Sequence, residues 1–68
     1  MDHARGKVVE FDEHAGLGAV ESDDGDRLPF HCTQITDGSR TIKKGTVVRY
    51  DVVAGTLGQW EAGRVEKA

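Results

Sequence analysis

The chain has 68 residues, enough for one small domain and too few for a second lobe. Nine basic and twelve acidic residues leave a net charge of −3, so no overall pull towards a polyanion exists and any nucleic-acid role has to come from a local patch. The single cysteine, Cys32, excludes an internal disulfide, and the polar run Asp2, His3, Arg5, Lys7 after Met1 sets the expectation of a cytoplasmic protein with neither signal peptide nor membrane span.

Glycine is abundant, the lone proline is Pro29, and no segment keeps apolar residues at helical spacing for more than a turn or two, so the chain reads as mostly β. Lys7–Phe11, KVVEF, is rich in strand formers, and Asp12 to Gly16 reads as the turn that follows. Ala15–Val20, AGLGAV, carries two glycines one residue apart. A phosphate-cradling loop would need a preceding strand, a third glycine and a following helix, and nothing after Val20 provides a helix. Leu17–Glu21 therefore reads as a second strand.

Ser22–Asp26 is a turn centred on Asp24-Gly25, a hairpin signal. Its acidic residues lack the spacing and length of a calcium loop. Arg27–His31 is the third strand, and Pro29 inside it implies an edge position or a bulge. Thr33-Gln34-Ile35 allows one helical turn, and a polar loop runs from Thr36 to Gly45. Thr46–Val53 is the clearest strand: alternation puts Val48, Tyr50 and Val52 on the core face and Arg49 and Asp51 on the other. Ala54–Gly58 turns the chain into a fifth strand, Trp60–Val65. Three strands in a meander, a long connection and a final hairpin predict an all-β, five-stranded antiparallel barrel, a single domain over 1–68 with its core in 6–66. In so small a core, Trp60 is expected to plug one end of the barrel; the alternative is an exposed anchor for a protein partner.

From Gly6 to Val65 the chain resembles the bacterial cold-shock domain, an oligonucleotide-binding (OB-fold) barrel. The family opening G-K-V-x-W-F-x-x-x-K-G-[FY]-G-F-[IV] lies over Gly6–Val20, V-F-V-H-F over Leu28–Cys32, and T-L-x-x-G-x-x-V-x-F over Thr41–Tyr50. The resemblance implies binding of single-stranded RNA or DNA by stacking bases on exposed rings, helped by scattered basic groups. It also exposes a departure. The family's tryptophan is replaced by Glu10, two phenylalanines by Leu17 and Ala19, two more by Pro29 and Cys32, and the lysine before the glycine pair by Ala15. A further loop phenylalanine falls near Arg40; His31 keeps the family's ring, with Phe11 beside it.

A lost stacking partner costs about 1–3 kcal/mol per base, so five losses at the low end remove roughly 5 kcal/mol if they add, between three and four decades of affinity. The residues expected to carry a weak nucleic-acid surface are His31, Phe11, Lys7, Arg40, Lys43 and Lys44. Lys43 and Lys44 form the basic cluster with Arg40, whose guanidinium plane can also stack on a base. The alternative is a barrel that has given up nucleic acid and meets a protein, a partner or a second copy, through Leu17, Ala19, Pro29 and Cys32. Glu10 either repels a phosphate chain or is an ordinary solvated strand residue.

His31 and Cys32, with His3 and His14, raise the question of a metal or a thiol nucleophile. Four ligands at a recognisable spacing are missing, and adjacent strand residues point to opposite faces. No catalytic residue, metal or cofactor is therefore assigned.

Overall fold

A bulge in the first strand organises one side of the molecule. The computed structural model describes residues 3–55 and 58–68, and its first strand, β1, runs His3–Asp12. Against β2 (Leu17–Ser22), Val8 pairs with Val20 but Glu10 with Ala19, so Val9 is an extra residue. The bulge resets the two-residue alternation. Gly6 and Val8 are buried ahead of it, whereas after it Glu10 is exposed and Phe11 is half-buried against the core.

The β1–β2 turn is closed by the Asp12 carboxylate, which accepts the N–H groups of His14 (3.0 Å) and Ala15 (3.3 Å). At the next hairpin the Ser22 carbonyl accepts the Gly25 N–H, and Gly25 takes the positive φ of +92° that its Asp-Gly sequence predicts. β3 (Arg27–His31) follows with the expected bounds. The strand order β3-β2-β1-β4-β5 puts β3 at one end of the sheet, which is where a strand containing Pro29 is tolerated.

A single 3-10 turn, Cys32–Gln34, comes one residue earlier than the sequence suggested, because the His31 side chain caps it by accepting the Thr33 N–H. The chain then seals the barrel. Ile35 makes a parallel bridge to Val65, and the Thr36 N–H donates to the Val65 carbonyl (3.0 Å). β4 (Val47–Ala54) and β5 (Trp60–Lys67) form the last antiparallel pair. Of the predicted Ala54–Gly58 turn, residues 56 and 57 lie outside the described residues.

The core comprises Val8, Val20, Phe30, Ile35, Ile42, Val48, Tyr50, Ala62 and Val65. Two expectations for β4 fail on burial. Val52, expected in the core, is 41% exposed, and Asp51, expected in solvent, is 3% exposed. Val52 does lie on the side of Ala4 and Leu28, but at an end of the barrel that stays open as a groove. Asp51 lies outside and is covered: its cross-strand partner His3 brings Nδ1 to 2.8 Å from the carboxylate. Beside it, β5 carries an extra residue opposite Arg49–Asp51, and Arg64 there takes φ +48°. Trp60 corrects a third expectation. It is 62% exposed and lines that open groove, so it plugs nothing.

Candidate nucleic-acid interface

The outer face of β1, β2 and β3 is built in cross-strand rows. The pairing aligns Lys7 with Glu21 and Arg27, then Glu10 with Ala19 and Pro29, then Asp12 with Leu17 and His31. These rows gather every strand position that the sequence assigned to the stacking platform, while Cys32 begins the following turn. Of their side chains, His31 alone is aromatic. Leu17 is 52% exposed, and Pro29 is exposed beside the half-buried Ala19.

The centre of the face holds an ion pair. Arg27 Nη2 donates to Glu10 Oε2, joining β1 to β3 across β2. The small Ala19 side chain, paired with Glu10, leaves the space the pair needs. Both partners are exposed, so the pair adds little stability, but it occupies with charge the place where the family motif puts a ring. Arg27 escaped the sequence reading because its link to Glu10, 17 residues away, exists only once the register of the meander is known.

His31 is held in place. The Thr33 N–H donates to its Nδ1 (3.2 Å), and Thr33 Oγ1 lies 3.0 Å from the same nitrogen. With Nδ1 accepting, the neutral ring carries its proton on Nε2, the nitrogen nearest Gly16. His31 and Arg40 line one groove of about 430 Å³ with Cys32, Thr33, Ile35 and the Gly38–Ser39 segment.

The other candidates lie elsewhere. Phe11 is half-buried and stacks on Phe30, with ring centroids 6.0 Å apart and planes 18° from parallel, so most of its ring serves the barrel. The Lys43-Lys44 turn abuts the β1 bulge: the Gly45 N–H donates to the Val8 carbonyl (2.7 Å) and the Val8 N–H to the Thr46 carbonyl (2.9 Å). Both lysines are exposed. Lys7 is exposed between Glu21 and Val47. The lysines thus lie on or beside β1, while His31 at the end of β3 shares its groove with Arg40.

Cys32 is a half-buried free thiol with Sγ 4.0 Å from His31 Nδ1, a nitrogen already engaged by Thr33. His3 is committed to Asp51, and among the described residues no three His, Cys, Asp or Glu side chains converge on a metal-sized site. Among them too, no helix is long and apolar enough to cross a membrane.

A five-stranded antiparallel sheet in the order β3-β2-β1-β4-β5, curled so that its end strands β3 and β5 pack together, defines the oligonucleotide-binding class of barrels. The 'Cold-shock' DNA-binding domain family model matches residues 4–68, and the chain belongs to that family. It is 33% identical over 63 residues to a cold shock-like protein CspC of Bacillus cereus, covering 91% of this chain and 97% of the relative. Against cold shock protein CspC of Bacillus subtilis it is 34% identical over 65 residues, covering 94% and 97%. A cold shock-like protein of Thermotoga maritima is 36% identical over 55 residues, 79% of this chain and 83% of the relative.

Proposed function

We propose that the protein binds single-stranded RNA or DNA, weakly and with strong salt dependence, and that it has no catalytic activity. The observation that carries the reading is the groove shared by His31 and Arg40, a ring and a guanidinium on the ligand side of a cold-shock barrel. A base entering there stacks on His31 or on the Arg40 plane. Lys43, Lys44 and Lys7 then meet the phosphates that run past β1, and the exposed part of Phe11 adds an edge contact. The weakness follows from the Glu10–Arg27 pair: a carboxylate at the centre of the face opposes a passing phosphate chain, and the arginine that could attract one is already engaged.

That same pair favours a second reading, a cold-shock barrel whose face has turned to a protein partner or a second copy through Leu17, Ala19, Pro29 and Cys32. Titration of fluorescent oligo-dT and oligo-rU at low and physiological salt separates the two. Three phosphate contacts from Lys7, Lys43 and Lys44 correspond to a log–log salt slope of about −2, and Lys43→Glu with Lys44→Glu reduces it to about −0.7. Absence of binding at low salt, or binding indifferent to salt and to both substitutions, overturns the nucleic-acid reading. In that event Leu17→Asp is expected to abolish partner capture or self-association while leaving the barrel folded.

A further inference from the structure

The open end of the barrel lies away from the His31 groove. His31 ends β3, whereas the second groove, of about 400 Å³, gathers around the start of β3, the end of β2 and the first residue of β5. Its apolar wall combines the exposed side chains of Trp60 and, to a lesser degree, Val52 with the half-buried Leu28 and Ala4. Its rim is acidic: Asp24 and Asp26 of the β2–β3 hairpin line it. Arg27 also borders the groove, but its guanidinium is turned to Glu10 on the outer face, and among the described residues no cation pairs with the rim carboxylates.

An indole beside two carboxylates, over an aliphatic wall, has a definite complement. A guanidinium stacks on the electron-rich face of tryptophan and donates to carboxylates, while its alkyl stem covers aliphatic surface. The same carboxylates repel a phosphate chain. We propose that this groove is a docking site for an extended, arginine-bearing segment of a partner protein, with an arginine on Trp60, its head at Asp24 and Asp26, and a neighbouring apolar side chain against Val52 and Leu28. The groove shares only Arg27 with the face that carries Glu10 and His31 and has none of the proposed nucleic-acid contacts in its lining, so a protein and an oligonucleotide can be held together.

Trp60 is the single tryptophan of the chain, and its emission reports on this groove alone. The test is a titration of the intact protein with a capped hexapeptide of alternating arginine and leucine at physiological salt. The expected result is a saturable change in Trp60 emission, with affinity about tenfold lower in an Asp24→Asn, Asp26→Asn double variant, the loss of charge-assisted hydrogen bonds at the rim. Glu13→Gln with Glu66→Gln makes the same change of net charge away from the groove and is expected to leave the affinity unchanged. Calorimetry on Trp60→Ala, an exposed position whose truncation spares the core, is expected to register a loss of similar size. The proposal is overturned if the emission does not saturate, if both double variants weaken the peptide equally, which would mark bulk attraction, or if oligo-dT produces the same saturable signal.

Discussion

At Gly18 a single hydrogen atom decides whether two aromatic rings can meet. A Cβ built there would fall 2.7 Å from Phe30 Cζ, 2.8 Å from Phe11 Cδ1 and 2.7 Å from the Glu10 carbonyl oxygen. The rings could turn away, but the carbonyl belongs to the paired β1 backbone and cannot. Gly18→Ala is therefore expected to destabilise the protein by about 1–3 kcal/mol through overpacking, at the upper end if the Phe11–Phe30 stack is lost. A urea or thermal unfolding curve checks this. Gly16 serves the chain differently, since with φ +68° it completes the β1–β2 turn in a backbone conformation that side chains disfavour. The two glycines of AGLGAV thus serve packing and backbone geometry.

Among the elements, the long connection between the 3-10 turn and β4 was least legible in the sequence. It has no apolar period, yet Ile35 at its start and Ile42 further on are both buried in the core, since a loop spanning the barrel needs only isolated anchoring side chains. Its earlier part is tied to β5 through Asp37, whose carboxylate accepts the Ser39 N–H (2.9 Å) and meets Lys67 Nζ (3.0 Å). Hydrogen bonds from the Ser39 side chain and backbone, then Lys67, lower the Asp37 pKa from 3.8 to about 2. A depressed carboxylate stabilises the fold where it is ionised, so its contribution is complete above about pH 4 and is lost as the pH falls through about 2. Asp37→Asn is expected to lower the urea midpoint slightly at neutral pH, with the gap from the parent closing near pH 2. A gap constant over that range would show that the carboxylate charge is not what ties the loop.

At the scale of the whole barrel, Tyr50 reports on global opening. It is 1% exposed, and its hydroxyl finds no hydrogen-bond partner among the described residues. Burial raises its pKa above 10.0, the nearby charges of Asp26 and Asp23 push the same way, and the neighbouring Ser22 hydroxyl opposes them only weakly. A raised pKa favours the neutral folded form, so this stabilisation holds below pH 10 and is lost as the pH rises through the folded value. Because Tyr50 is the chain's one tyrosine, an alkaline absorbance titration is expected to have a midpoint above 10 that coincides with unfolding by circular dichroism. Ionisation that precedes unfolding would mean the barrel admits solvent locally.

By itself the sequence determined the five strands, the turns that follow β1 and β2 and the loss of rings at Glu10, Leu17, Ala19, Pro29 and Cys32, since these rest on local alternation, turn chemistry and residue identity. It narrowed Pro29 to an edge or a bulge, of which the strand order selected the edge. The tertiary structure alone decided that Val52 and Trp60 line an open end, that Asp51 is buried beneath His3, that Glu10 meets Arg27, and that Arg40 joins His31 while the lysines lie on or beside β1. The physical reason is that alternation tells which side of a sheet a residue takes. Burial and partnership depend on where the barrel closes, where its bulges fall, and which distant strand the register brings alongside.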